Sequence, residues 1–107
     1  MYLMDTPVTA KAALLQALLS GRGYGLDLIE RVKERTNGQI VVRQGSIYPA
    51  LRALEREGLL ISYEADPSPE RGGRPRRYYE LTAEGRRVAF SQRESISGLL
   101  DLVGAFS

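Results

Sequence analysis

The stretch 44–60, QGSIYPALRALEREGLL, constrains the fold most, because it reads as one helix with two unlike faces. Ile47, Leu51 and Leu54 recur at three- and four-residue spacing, with Ala50 and Gly58 beside them, so one stripe asks for a core. About a quarter turn round lie Gln44, Tyr48, Arg52 and Glu55, again at helical spacing. An amide, a phenol and a guanidinium on one exposed stripe suit base edges and phosphates. The residues therefore read as a DNA recognition helix, which the other segments position or pair with a second copy.

Two starts for this helix compete. Pro49 has no backbone N–H and fits best within the first turn, which makes Ser46 the cap. The polar stripe beginning at Gln44 favours an earlier start with a local distortion at Pro49, and we adopt that one. Gly58 is a natural stop.

At 107 residues the chain is one domain's length, and 43% hydrophobic with 26% charged residues is the composition of an ordinary soluble globular protein. It has no cysteine, which excludes a disulfide framework and a thiolate zinc site. It has no histidine either, which removes the usual general base and the commonest metal ligand. Enzymatic function is therefore disfavoured and no cofactor is expected. The beginning, MYLMDTPVTAK, has no basic flank before an apolar run, and no apolar run reaches about 18 residues. The expectation is a cytoplasmic protein without a membrane span. A net charge of +2 identifies no partner, but Arg71, Arg74, Arg76 and Arg77 make a local basic patch of the kind that tracks phosphates.

Taken in order, Thr6 and Pro7 offer a cap and a first helical residue for a helix over about 8–20, with Val8, Ala12, Leu15 and Leu19 on one stripe. Gly21 and Gly23 end it. A second helix over about 25–36 turns Leu28, Ile29 and Val32 inward and Asp27, Glu30, Arg31, Lys33 and Glu34 outward, and a left-handed Gly38 closes it. Residues 39–42 are a brief strand or an extended turn. Helix, short connection and helix with separate core and polar faces is the helix-turn-helix arrangement. Residues 59–65 and 74–81 read as two strands of a hairpin around a Pro- and Gly-rich loop, a wing with a basic tip. Tyr79 and Leu81 share one strand face, Tyr78 and Glu80 the other. Thr82 caps a last helix over about 83–105, which spans roughly 35 Å. Its apolar residues Ile96, Leu99, Leu100, Val103 and Phe106 ask for a partner, most simply a second copy in a two-fold dimer, with Met1 and Leu3 in the same interface.

These residues resemble the PadR family of bacterial transcriptional regulators. The matching pieces are GYG at 23–25, GSIYPAL at 45–51, LEREGL at 54–59, GRPRRYY at 73–79 and LTAEG at 81–85, in matching order over about residues 8–88. The resemblance implies a winged helix-turn-helix, a homodimer built through the C-terminal helix, and repression from a palindromic double-stranded DNA operator. The single C-terminal helix resembles the family's shorter class. Where the family often has a small capping residue this chain has Arg43, which weakens the cap and offers a phosphate contact. Some members stack drugs between subunits on a tryptophan, which this chain lacks. The drug-stacking pocket is therefore not carried over, and the resemblance leaves room for a small-molecule effector of unknown identity, with no site named.

The expected fold is mainly α with a small β-hairpin (α+β): a winged helix-turn-helix over 1–82 and a dimerisation helix over 83–107. The DNA-binding candidates are Tyr24, Arg43, Gln44, Ser46, Tyr48, Arg52, Arg71, Arg74, Arg76 and Arg77. Each has a plainer reading. Tyr48 can pack beside Ile47, Ser46 can be a cap, Tyr24 can cover the core, and Arg77 can pair with a glutamate. Arg71 and Arg74 are the stronger wing contacts, while Tyr78 and Tyr79 read as structural aromatics. The competing function is a winged-helix module that binds protein instead of DNA.

Overall fold

The computed structural model describes residues 9–104, with side chains through Ser95. The order is α1 (Ala10–Leu18), β1 (Gly23–Tyr24), α2 (Gly25–Arg35), α3 (Gln44–Arg56), β2 (Leu60–Ala65), β3 (Arg76–Leu81) and α4 (Ala83–Gly104). This is the expected α+β winged helix, with one strand more than the hairpin.

Helix α1 starts later than the sequence suggested. Thr9 is extended and its hydroxyl accepts the Ala12 N–H at 3.1 Å, so Thr9 and not Thr6 is the cap. Strong helix formers follow Thr9 at once, which puts the boundary there. Thr6, Pro7 and Val8 lie outside the described residues. Helix α2 ends in a Schellman motif: the Gly38 N–H bonds Lys33 O at 2.7 Å and the Asn37 N–H bonds Glu34 O at 3.2 Å. Both Asn37 and Gly38 take positive φ there.

Residues 39–42 form no strand. Their chain is held by the Thr36 hydroxyl, which accepts the Ile40 N–H at 3.0 Å, and by burial of Val42. Helix α3 does begin at Gln44, with Arg43 extended at the cap and Pro49 inside the helix. Ser46 is in the first turn and is not the cap. Pro49 removes the bond to the Gly45 carbonyl, where both residues are exposed and water can replace it. The helix closes in a second Schellman motif, Leu59 N–H to Leu54 O and Gly58 N–H to Glu55 O, both 3.0 Å. That motif keeps Leu59 out of β2.

The sheet runs β1–β3–β2 and is antiparallel throughout. Tyr24 pairs with Tyr78, which pairs with Tyr63, so three tyrosines make one row across it. Tyr79 and Leu81 lie on the core face as expected. Tyr78 is also buried, because Arg22, Tyr24 and Tyr63 cover it from the other side.

The core joins Leu14, Leu15 and Leu18 of α1, Leu28 and Val32 of α2, Ile47, Leu51 and Leu54 of α3, and Leu60 and Leu81 of the sheet. Full burial of each such side chain contributes about 1.5–3 kcal/mol. Helix α4 docks through Ala89 and through Gln16, whose amide donates to Ala89 O at 2.8 Å and Gln92 Oε1 at 3.2 Å. Among the described residues no helix is long and apolar enough to cross a membrane.

The start of α4 is pressed onto the end of α3. The Thr82 N–H bonds Leu59 O at 3.0 Å, its hydroxyl donates to Gly58 O at 2.7 Å, and the same oxygen accepts the Gly85 N–H at 3.0 Å. A Cβ on Gly85 would lie 2.0 Å from the Leu59 carbonyl oxygen. Gly85→Ala should therefore cost at least about 2 kcal/mol, because a backbone atom must move. Gly45→Ala meets nothing within 4 Å in α3 and should stabilise by about 0.5–1 kcal/mol. Urea midpoints at unchanged slope check both.

Candidate nucleic-acid interface

Helix α3 buries Ile47, Leu51 and Leu54 completely and turns Gln44, Tyr48 and Arg52 to solvent. Gln44 and Arg52 make no hydrogen bond or ion pair among the described residues, so their donors are available to a ligand. Glu55, on the same stripe, is held back by the Ser62 hydroxyl, which donates to it at 2.8 Å. The Arg43 side chain makes no cap bond to α3, and Arg43, Gly45 and Ser46 are all exposed. A helix start with free N–H groups beside a guanidinium favours an anion. Arg43 and Ser46 also border an open cleft of about 350 Å³ between α1 and residues 40–42.

Tyr48 is both packed and exposed. It is 40% exposed, and its ring lies over Gly25, where a Cβ would meet the hydroxyl oxygen at 2.4 Å. The glycine at the start of α2 thus sets how close α2 and Tyr48 come. Tyr24 is half-buried, edge-on to Tyr78 at 5.6 Å between ring centres, with the Arg76 guanidinium 4.4 Å from its own ring centre. Its ring is occupied in the sheet.

The wing is more ordered than its composition suggested. Ser68 caps a short 3₁₀ turn at Pro69–Arg71, and Gly72 and Gly73 follow at positive φ. Arg71 donates to the backbone oxygens of Asp66 and Arg74, and Arg74 Nε donates to Arg71 O at 2.9 Å. Arg77 pairs with Glu64 at 3.7 Å, with both side chains exposed. Arg71 and Arg76 thus support the wing itself. Arg74, bonded through Nε alone, and the loosely paired Arg77 keep more of their charge available.

Sequence reasoning missed two arginines. Arg31 does not point outward: its guanidinium donates to Ala17 O, Gly21 O, Arg22 O and Asp27 Oδ2 at 2.8–3.0 Å, tying the end of α1 to α2. The four-residue Asp27–Arg31 spacing was the available signal. Arg22 had none, since its partners lie far along the chain. It stands 4.0 Å over Tyr78, donates to the Tyr63 hydroxyl at 3.4 Å, and pairs with Asp66 at 3.2 Å. The Asp66 carboxylate beside Tyr78, and then burial, push that phenol above its ordinary range. Of the expected dimer residues, Ile96, Leu99, Leu100 and Val103 fall on the described backbone of α4, while Met1, Leu3 and Phe106 lie outside the described residues. No group of acidic side chains among the described residues could hold a metal ion.

Gly25→Ala tests the packing of Tyr48. The obstructing atoms belong to a ring that can swing outward, so stability should change by less than about 1 kcal/mol. Affinity for duplex DNA should nevertheless fall several-fold, as titration of the variant against wild type would show.

Comparison with known proteins agrees with this fold. A PadR-like regulator from Bacillus cereus superposes with a TM-score of 0.77 at 23% identity, over 97% of this chain and 95% of that one. A PadR-family regulator from Clostridium difficile gives 0.76 at 24%, over 91% and 96%. Bacillus subtilis PadR in complex with operator DNA gives 0.67 at 24%, over 77% of this chain and 45% of that one. An uncharacterised protein of Lysinibacillus sphaericus is 27% identical over 73 residues, and the match spans 64% of that protein's length. The model of the transcriptional regulator PadR-like family matches residues 14–90. With a winged helix and that match over most of its length, the chain belongs to the PadR-like family of transcriptional regulators.

Proposed function

We propose that this protein is a cytoplasmic, homodimeric repressor that binds a palindromic operator. The observation that carries the reading is the division of α3: one face is fully buried, while Gln44, Tyr48 and Arg52 stand exposed on another. Such a helix enters the major groove and reads base edges, with Arg43 and Ser46 at its start against the backbone. Arg74 and Arg77 of the wing grip flanking phosphates. Tyr24, Arg71 and Arg76 support these contacts from behind. The operator complex of Bacillus subtilis PadR supports a DNA partner for a fold of this type.

Residues 1–82 form the DNA-binding unit in this reading, and 83–107 the dimerisation helix. Helix α4 has 22 residues, and its first part packs on Gln16 and the core. Ile96, Leu99, Leu100, Val103 and Phe106, with Met1 and Leu3, then face the second copy. Two recognition helices about one DNA turn apart read a palindrome. An effector of unknown identity acts by changing the angle between the two heads.

Selection of bound sequences from random duplex DNA tests the function. Wild type should recover a palindrome. Arg52→Ala should bind it about 1–3 kcal/mol more weakly and lose preference at one position per half-site. An unchanged profile removes Arg52 from base readout, and no recovered site in either protein favours a protein-binding module. Truncation after Ser95 should give a monomer by sedimentation, and a persistent dimer would place the interface elsewhere.

A further inference from the structure

Arg22 belongs to none of the surfaces assigned to DNA, yet it connects the body of the domain to the wing. Its carbonyl accepts Arg31 Nη2 at 2.9 Å, which fixes its main chain to α2 and the end of α1. Its guanidinium crosses the sheet face opposite Tyr79 and Leu81, lies over Tyr78, and reaches Tyr63 and Asp66. Asp66 is the first residue beyond β2 and holds a positive φ of 55°. Its carbonyl in turn accepts Arg71, whose own carbonyl accepts Arg74 Nε. An unbroken chain of bonds therefore runs from Arg31 through Arg22, Asp66 and Arg71 to Arg74.

We propose that Arg22 is the positioning residue of the wing: through Asp66 it sets where Arg71 and Arg74 stand relative to α3. The inference rests on the reading of the wing as a DNA-backbone contact. The loop at the tip of the β2–β3 hairpin lies beyond Leu60, Tyr79 and Leu81, which fix the base of the hairpin to the core, and it can tilt unless something further holds it. A guanidinium stacked on one aromatic and paired with a carboxylate at the loop's root removes that freedom.

Asp66→Asn is the discriminating variant. Asparagine tolerates the left-handed backbone at this position. Removing a carboxylate should by itself strengthen binding to a polyanion. If the carboxylate instead positions the wing, Asp66→Asn weakens binding to sheared mixed-sequence duplex DNA by several-fold and lowers the salt slope by about 1. Arg22→Ala should weaken it by roughly tenfold, with circular dichroism confirming the fold. In a protein with Arg74→Ala and Arg77→Ala, adding either change should alter affinity by less than about twofold.

Binding by Asp66→Asn as tight as wild type or tighter overturns the positioning role, as do equal effects of Arg22→Ala in both backgrounds. If the wing-neutral protein alone binds as wild type does, the wing reading fails and takes the positioning role with it. If that protein binds weakly while Asp66→Asn does not, only the positioning role fails.

Discussion

The burial of Ile47, Leu51 and Leu54 comes first physically, because α3 packs at once against α1, α2 and the sheet. A side chain with no exposed surface permits little rotation of its helix, since rotation would open a void on one side and a clash on the other. The same packing that stabilises the domain thus sets the rotation of α3 about its axis, and with it the direction of Gln44, Tyr48 and Arg52. Stability and presentation of the exposed stripe are two results of one contact surface. Substitutions in the apolar stripe will therefore disturb function without touching any polar residue.

Close approaches without side chains complete the frame. Gly25 admits the Tyr48 ring to α2, and Gly85 admits the first turn of α4 to the Leu59 carbonyl. At Gly25 the neighbour is a ring that can yield, and at Gly85 it is backbone that cannot. The two glycines therefore differ in what they protect. One governs a side chain's direction, the other the seating of a whole helix.

Periodicity made most of this legible. The apolar stripes of α2, α3 and the sheet, the glycine-terminated helix ends, and the exposed face of α3 follow from local spacing. What escaped was decided by partners distant in sequence. The two residues of β1 carry no pattern and owe their strand to the free edge of β3. Arg31 looks like a solvated helix residue until the end of α1 brings three carbonyl oxygens to it. Thr6 followed by Pro7 made a cap on paper, and the run of helix formers after Thr9 puts the boundary there instead. In the wing, composition marked a basic tip but gave no sign that Arg71 folds back onto its own loop or that Arg76 stacks on Tyr24.

The joint at Thr82 has a mechanical meaning. One residue links β3 to α4, and its N–H and hydroxyl both bind carbonyls at the end of α3. The end of α3 and the root of α4 are clamped to each other with no compliant loop between them. Helix α4 is then the handle of a crank whose throw is α3. A small change in pitch at its distal end becomes a displacement of α3, without any need for the domain to unfold or repack. If α3 reads DNA as proposed, control exerted far from it needs no relay through the core, only a hand on that lever.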